Sequence, residues 1–139
     1  MAFSDITPPV ETLSTASLAY LGDSVIEVYV RRRLVCAGLS SAKRLNEASL
    51  TFVRAGAQAR AMETILPLLT EEENAVFRRG RNSGHANVPK NATVAEYRHA
   101  TGMEALFGWL YLKNDTERIA FLLNNAWGDS LTAAGKLEK

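Results

Sequence analysis

The chain has 139 residues, 47% hydrophobic and 22% charged, which suits one globular domain with a sizeable core and excludes a disordered or low-complexity polymer. Its opening MAFSDITPP has no basic start or apolar stretch, and no apolar run is long enough to span a bilayer, so neither a secretory leader nor a membrane anchor is expected. A net charge of +1 excludes a uniformly basic polyanion binder, and the lone Cys36 excludes an internal disulfide; a reducing cytoplasm is the simplest location.

Helix signals dominate and no strand pattern persists. Ser14 or Thr15 can cap a first helix, and Gly38 is placed to end it. Ser40-Ser41 opens a second helical stretch to about Arg54, and an alanine-rich one continues through Gly56 to a stop at Pro67. Thr70-Glu71-Glu72-Glu73 is a capping box whose helix should fade near Gly80. Residues 80–92, GRNSGHANVPKNA, read as a loop. Thr93-Val-Ala-Glu96 is a second capping box, opening a long helix to Lys113-Asn114. A last helix from about Thr116 to Trp127 should end at Gly128, leaving a loose tail. The expected architecture is an all-α helical bundle, one domain over residues 1–139, with the two long apolar helices at its centre.

Both of those helices carry an acid out of place. From Leu18 to Val30 the first is apolar around nearly its whole circumference, with Leu18, Leu21, Val25 and Val28 on one face. Asp23 falls on the other, among Ala16, Ala19, Ile26 and Val30. A carboxylate desolvated there needs a partner or a cation, unless the Asp23–Glu27 side faces water at a groove or edge. Glu104 repeats the anomaly on the long helix, sharing a face with Tyr97, Ala100, Thr101, Gly108 and Tyr111. Ala100 and Gly108 would admit another helix closely. If the two helices pack side by side, Asp23 and Glu104 can share one hard cation through oxygen ligands. Such a centre supports phosphodiester hydrolysis, because the metal acidifies a bound water and neutralises phosphate oxygens.

The segment between the acids fits that chemistry. Arg78, Arg79, Arg81, Lys90 and Arg98 against the single acid Glu96 make residues 78–98 +4 and leave the remainder −3. Arginine forks and exposed amides among glycines and asparagines suit phosphates, although such a run also serves as a merely soluble surface loop. His85 and His99 raise a competing route, metal-free acid–base cleavage of RNA. No phosphate-binding glycine motif, His-Asp pair or Ser/His/Asp pattern is present.

Leu18-Ala-Tyr-Leu-Gly-Asp23-Ser-Val resembles the signature helix of the ribonuclease III catalytic domain, and Glu104-Ala-Leu-Phe-Gly-Trp-Leu-Tyr-Leu112 resembles that domain's second acidic helix. Arg78-Arg-Gly-Arg-Asn82, Val88-Pro-Lys-Asn91 and Tyr97-Arg-His-Ala-Thr101 look like motifs of its Mini-III branch, in order, so the resemblance covers roughly residues 14–127. It implies a homodimeric, magnesium-dependent endoribonuclease, with manganese as a substitute ion. Such an enzyme cleaves double-stranded RNA to 5′-phosphate and 3′-hydroxyl ends and matures both ends of the 23S ribosomal RNA precursor, with a ribosomal protein as a candidate partner. Asp23 and Glu104 match the metal-binding catalytic acids. Arg78, Arg79, Arg81, Asn82, Lys90 and Asn91 match the part that grips RNA, and Glu27 and Thr101 are candidates for an outer ring around the metal. Where the wider family has a glutamate four residues before Asp23 stands Ala19, and where it has an aspartate three residues before Glu104 stands Thr101. The same pattern implies a catalytic part without a double-stranded RNA-binding domain. A non-catalytic double-stranded RNA-binding module on the same fold is the alternative reading.

Overall fold

The computed structural model describes residues 8–83, 88 and 90–136, with side chains through residue 130. Among them are six α-helices and no strand: α1 Thr15–Cys36, α2 Ala42–Val53, α3 Ala55–Ile65, α4 Glu71–Asn82, α5 Val94–Leu112 and α6 Thr116–Lys136. The all-α expectation holds.

Local chemistry sets most boundaries. Ser14 accepts the Ser17 N–H at the start of α1. Gly38, at φ 107°, ends it in a Schellman turn in which its N–H and that of Leu39 reach the carbonyls of Val35 and Leu34. Asn114, at φ 60°, ends α5 in the same way, with Asn114 and Asp115 donating to Tyr111 and Leu110. Both capping boxes form: Thr70 N–H donates to Glu73 at 2.8 Å and Thr93 N–H to Glu96 at 2.9 Å, and each threonine hydroxyl accepts in return.

Two ends differ from expectation. Helix α4 continues past Gly80 to Asn82, and α6 continues past Gly128 to Lys136. A helical glycine costs only about 1 kcal/mol, and Gly80 is held by its fit against α5, so neither glycine acts as a stop.

Helix α5 is the axle of the bundle, packing on α1, α3, α4 and α6, with Met103, Leu106, Phe107 and Leu110 fully enclosed. Ile26 and Leu34 of α1, Met62 and Ile65 of α3, Phe77 of α4 and Ile119 and Leu122 of α6 complete the core. The α1–α5 crossing is set by glycine. A Cβ on Gly22 would overlap the Glu104 carbonyl, and one on Gly108 would overlap the Leu18 carbonyl. The helices therefore meet backbone to backbone and antiparallel, Leu18 beside Gly108 and Gly22 beside Glu104. A second close crossing joins α4 to α5, where a Cβ on Gly80 would lie 2.8 Å from Gly102 Cα.

Unlike α5, α1 is not enclosed. Tyr20, Val28 and Val35 are 85%, 62% and 58% exposed, so the face expected to hold Val28 inside ends before it. Its apolar circumference has two causes: Ile26, Val30 and Leu34 enter the core, while Tyr20, Val28 and Val35 form an outward stripe.

Candidate functional site

The α1–α5 crossing decides the position of the acids. Asp23 follows Gly22, and Gly22 lies on the backbone of Glu104, so close packing brings both side chains to the same edge of the interface. They line a cleft of about 350 Å³ with Ala16, Ala19 and Tyr20 of α1, Gly80, Arg81 and Ser83 at the end of α4, and Tyr97, Arg98 and Thr101 of α5.

The two carboxyl groups differ in environment. Asp23 is exposed at the lip, so the groove-edge alternative describes it and the desolvated reading does not. Glu104 carries the burial instead. Desolvation, then the charge of Asp23 and the hydrogen bond between the two carboxyl groups, push its pKa up to about 8. Neither acid makes a salt bridge with a described residue. Two facing carboxyl groups without a counter-cation form a donor set suited to a hard divalent ion.

Protein oxygens are few. Among the described residues no cluster of three histidine, cysteine, aspartate or glutamate side chains could hold a metal. Ala19 and Thr101 both line the cleft, so the positions at which acids were absent from the sequence face the site. The Thr101 hydroxyl donates to the Tyr97 carbonyl at 3.0 Å, so its oxygen keeps the capacity to accept a hydrogen bond from water in the cleft that Thr101 lines. Glu27 does not join them: its carboxylate turns along α1 to Arg31 at 3.4 Å, one helical turn away. That geometry removes it from the ring around the acids.

The expected basic loop is largely helical. Because α4 runs to Asn82, its arginines radiate at 100° steps instead of converging. Arg81 enters the cleft, oriented by Nε donating to Asn82 Oδ1 at 3.2 Å and by the Phe77 ring beneath it. Arg78 is exposed outside the cleft, and Arg79 lines a separate pocket beside Glu11 and Trp109. Lys90 and Asn91 are exposed in the turn before α5. The loop's remaining residues, 84–87 and 89, lie outside the described residues, and His85 is among them. His99 is packed against Phe77 and paired with the Ala95 carbonyl at 2.9 Å, away from the cleft lining. Tyr20, Ser83, Tyr97 and Arg98 are cleft residues to which the sequence assigned no role; the spacing 97, 98, 101, 104 on one helix was the available signal.

The sequence matches the Ribonuclease III domain family over residues 16–115. It is 44% identical over 115 residues to the Mini-ribonuclease 3 of Symbiobacterium thermophilum, covering 83% of this chain and 88% of that one. It is also 44% identical to the Mini-ribonuclease 3 of Brevibacillus brevis, over 79% and 82% of the two chains. The crystal structure of protein FN1578 from Fusobacterium nucleatum superposes with a TM-score of 0.77 at 30% identity, covering 85% of this chain and 94% of that one. A helical domain with an acid pair at a glycine crossing, matched over this length, defines a nuclease class: the chain belongs to the ribonuclease III family and is an endoribonuclease. Within that family its relatives are the Mini-ribonuclease 3 proteins.

Proposed function

We propose that the protein is a magnesium-dependent endoribonuclease that cuts double-stranded RNA, with the 23S ribosomal RNA precursor as its substrate and both ends of the mature RNA as its products. The observation that carries this reading is the facing pair Asp23–Glu104 in a cleft that also holds Arg81. Asp23 and Glu104 would hold a divalent ion, which would supply an acidified water and neutralise charge on the phosphate oxygens. Asp23 and Glu104 present the anionic oxygens that hold it, with Thr101 beside them to order water. Manganese, which takes the same oxygen ligands, should substitute.

Arg81 positions the duplex backbone at the cleft, and Arg78, Arg79, Asn82, Lys90 and Asn91 extend phosphate contacts away from it. Attack of water in line with the 3′-oxygen leaves 5′-phosphate and 3′-hydroxyl ends. The exposed stripe Tyr20–Val28–Val35 supports a homodimer through α1, since it begins at the cleft lip and so would set two clefts on one RNA. No described helix is long and apolar enough to cross a membrane, in keeping with a cytoplasmic site of action. A ribosomal protein already bound to the precursor would recruit the enzyme to the correct stem.

The test is cleavage of a precursor ribosomal RNA stem with the ends mapped. Magnesium-dependent cuts at two opposed positions are expected. A stem that is bound but yields no fragments at any magnesium concentration would leave only the binding-module alternative, and cleavage that survives chelator would overturn the metal.

A further inference from the structure

We propose that Arg98 binds a phosphate neighbouring the one attacked, and so sets which linkage lies over Asp23 and Glu104. The inference rests on the RNA-cleaving reading above and adds to it a residue that fixes register. Arg98 is exposed, lines the cleft with both acids, and makes no hydrogen bond or ion pair with a described residue. An arginine in a cleft containing two carboxyl groups would ordinarily pair with one. Here Glu104 faces Asp23, and Glu96, two residues before Arg98, accepts the Thr93 N–H of the capping box through its Oε1. No described acid forms an ion pair with the guanidinium, which is therefore placed to meet an anion from solution.

Its placement selects the anion. Arg98 precedes Glu104 by six residues on α5, about 9 Å along the helix axis. That exceeds one phosphate repeat along a strand, so Arg98 meets a different linkage from the one over the acids. Across the cleft, the Gly80–Gly102 contact carries Arg81 to the same opening from α4. One cation is held by Asn82 and Phe77, and the other has no hydrogen-bond or ion-pair partner among the described residues. Two forks from separate helices can grip successive phosphates of one strand, each in a planar two-bond geometry.

The experiment compares wild type, Arg98→Ala and Arg98→Lys on an RNA duplex, and on duplexes in which single phosphates near the cut are replaced by uncharged methylphosphonates. Arg98→Ala should weaken binding about tenfold, reduce the slope of log affinity against log salt by about 1, and spread cleavage over adjacent linkages. Arg98→Lys should recover the salt slope without the single cut position. One methylphosphonate should reproduce the loss in wild type and add nothing in Arg98→Ala. An unchanged slope and cut position in Arg98→Ala, or methylphosphonate losses equal in both proteins at every position, would overturn the role of Arg98 alone. A wild type that leaves the duplex uncut with magnesium would overturn both this inference and the proposed function.

Discussion

Because Glu104 is desolvated at the α1–α5 crossing and faces Asp23, it keeps its proton to a pH of about 8, against an ordinary value of 4.5. The folded metal-free protein therefore binds more protons than the unfolded chain across that interval. Its stability should fall as pH rises from about 4.5 to about 8, by at most about 1.4 kcal/mol per pH unit, and level off above. Glu104→Gln, which cannot ionise, should flatten the fall in urea titrations across this range. Divalent-ion binding should then release a proton near neutrality and tighten with pH, which calorimetry in buffers of different ionisation enthalpy would read. Asp23→Asn removes the charge facing Glu104 and one of the two carboxylates that would hold the cation. It should lower single-turnover cleavage by about three orders of magnitude or more, with thermal stability at pH 8 equal to wild type or higher. An active Asp23→Asn protein would refute the proposed site.

At the scale of elements, the crossings hold the site. A methyl group at Gly22 has no room against the Glu104 carbonyl, so Gly22→Ala must push α1 from α5. Overpacking of this kind should cost about 3 kcal/mol in urea unfolding and remove cleavage with it, because the acids separate. Helix α4 is anchored at its other end: Arg118 of α6 grips Glu73 through two 2.8 Å bonds and also donates to the Leu68 carbonyl at 2.7 Å. Burial raises the Glu73 pKa, but the hydrogen bond from Arg118 and the capping contacts with Thr70 outweigh it and leave the carboxyl below its ordinary value. Arg118→Ala strands this buried carboxylate and should cost about 3 kcal/mol at neutral pH. The loss should shrink in acid, as Glu73 takes up a proton in both proteins, and equal losses at pH 7 and pH 3 would contradict the assignment.

The whole molecule combines an outward apolar stripe on α1 with polarised charge, +4 over residues 78–98 and −3 elsewhere. In the proposed dimer the stripe is covered. Val28→Glu should convert dimer to monomer in light scattering while leaving the helix content unchanged, since Val28 is mostly exposed and lies outside the buried core. Cleavage should decline with the dimer fraction. In a nearly neutral protein this local excess of cations supplies the attraction for RNA phosphates, so binding should weaken steeply with added salt. Tight duplex binding that ignores salt would contradict a phosphate-led interface.

Much of this was legible along the chain. Capping boxes at Thr70 and Thr93, the stops at Gly38 and Asn114, and the oddity of Asp23 and Glu104 on apolar helices are properties of a few neighbouring residues, and local hydrogen bonding and periodicity express them directly. What lay beyond reach was relational. Gly80 and Gly128 resemble helix stops by composition, yet Gly80 instead serves a contact with Gly102, 22 residues away in the chain. Apolar residues outside and inside α1 have the same chemistry, so only the neighbours of Tyr20 and Val28 distinguish a stripe from a core. Asp23 and Glu104 were each identifiable as anomalous, but which of them is desolvated depends on the crossing at Gly22. Sequence alone determined most of the helices and their caps and singled out Asp23 and Glu104 as candidate acids, because capping and periodicity are short-range; only tertiary packing decided the cleft, the fan of arginines and the proton on Glu104, because burial and charge proximity arise between elements distant in the chain.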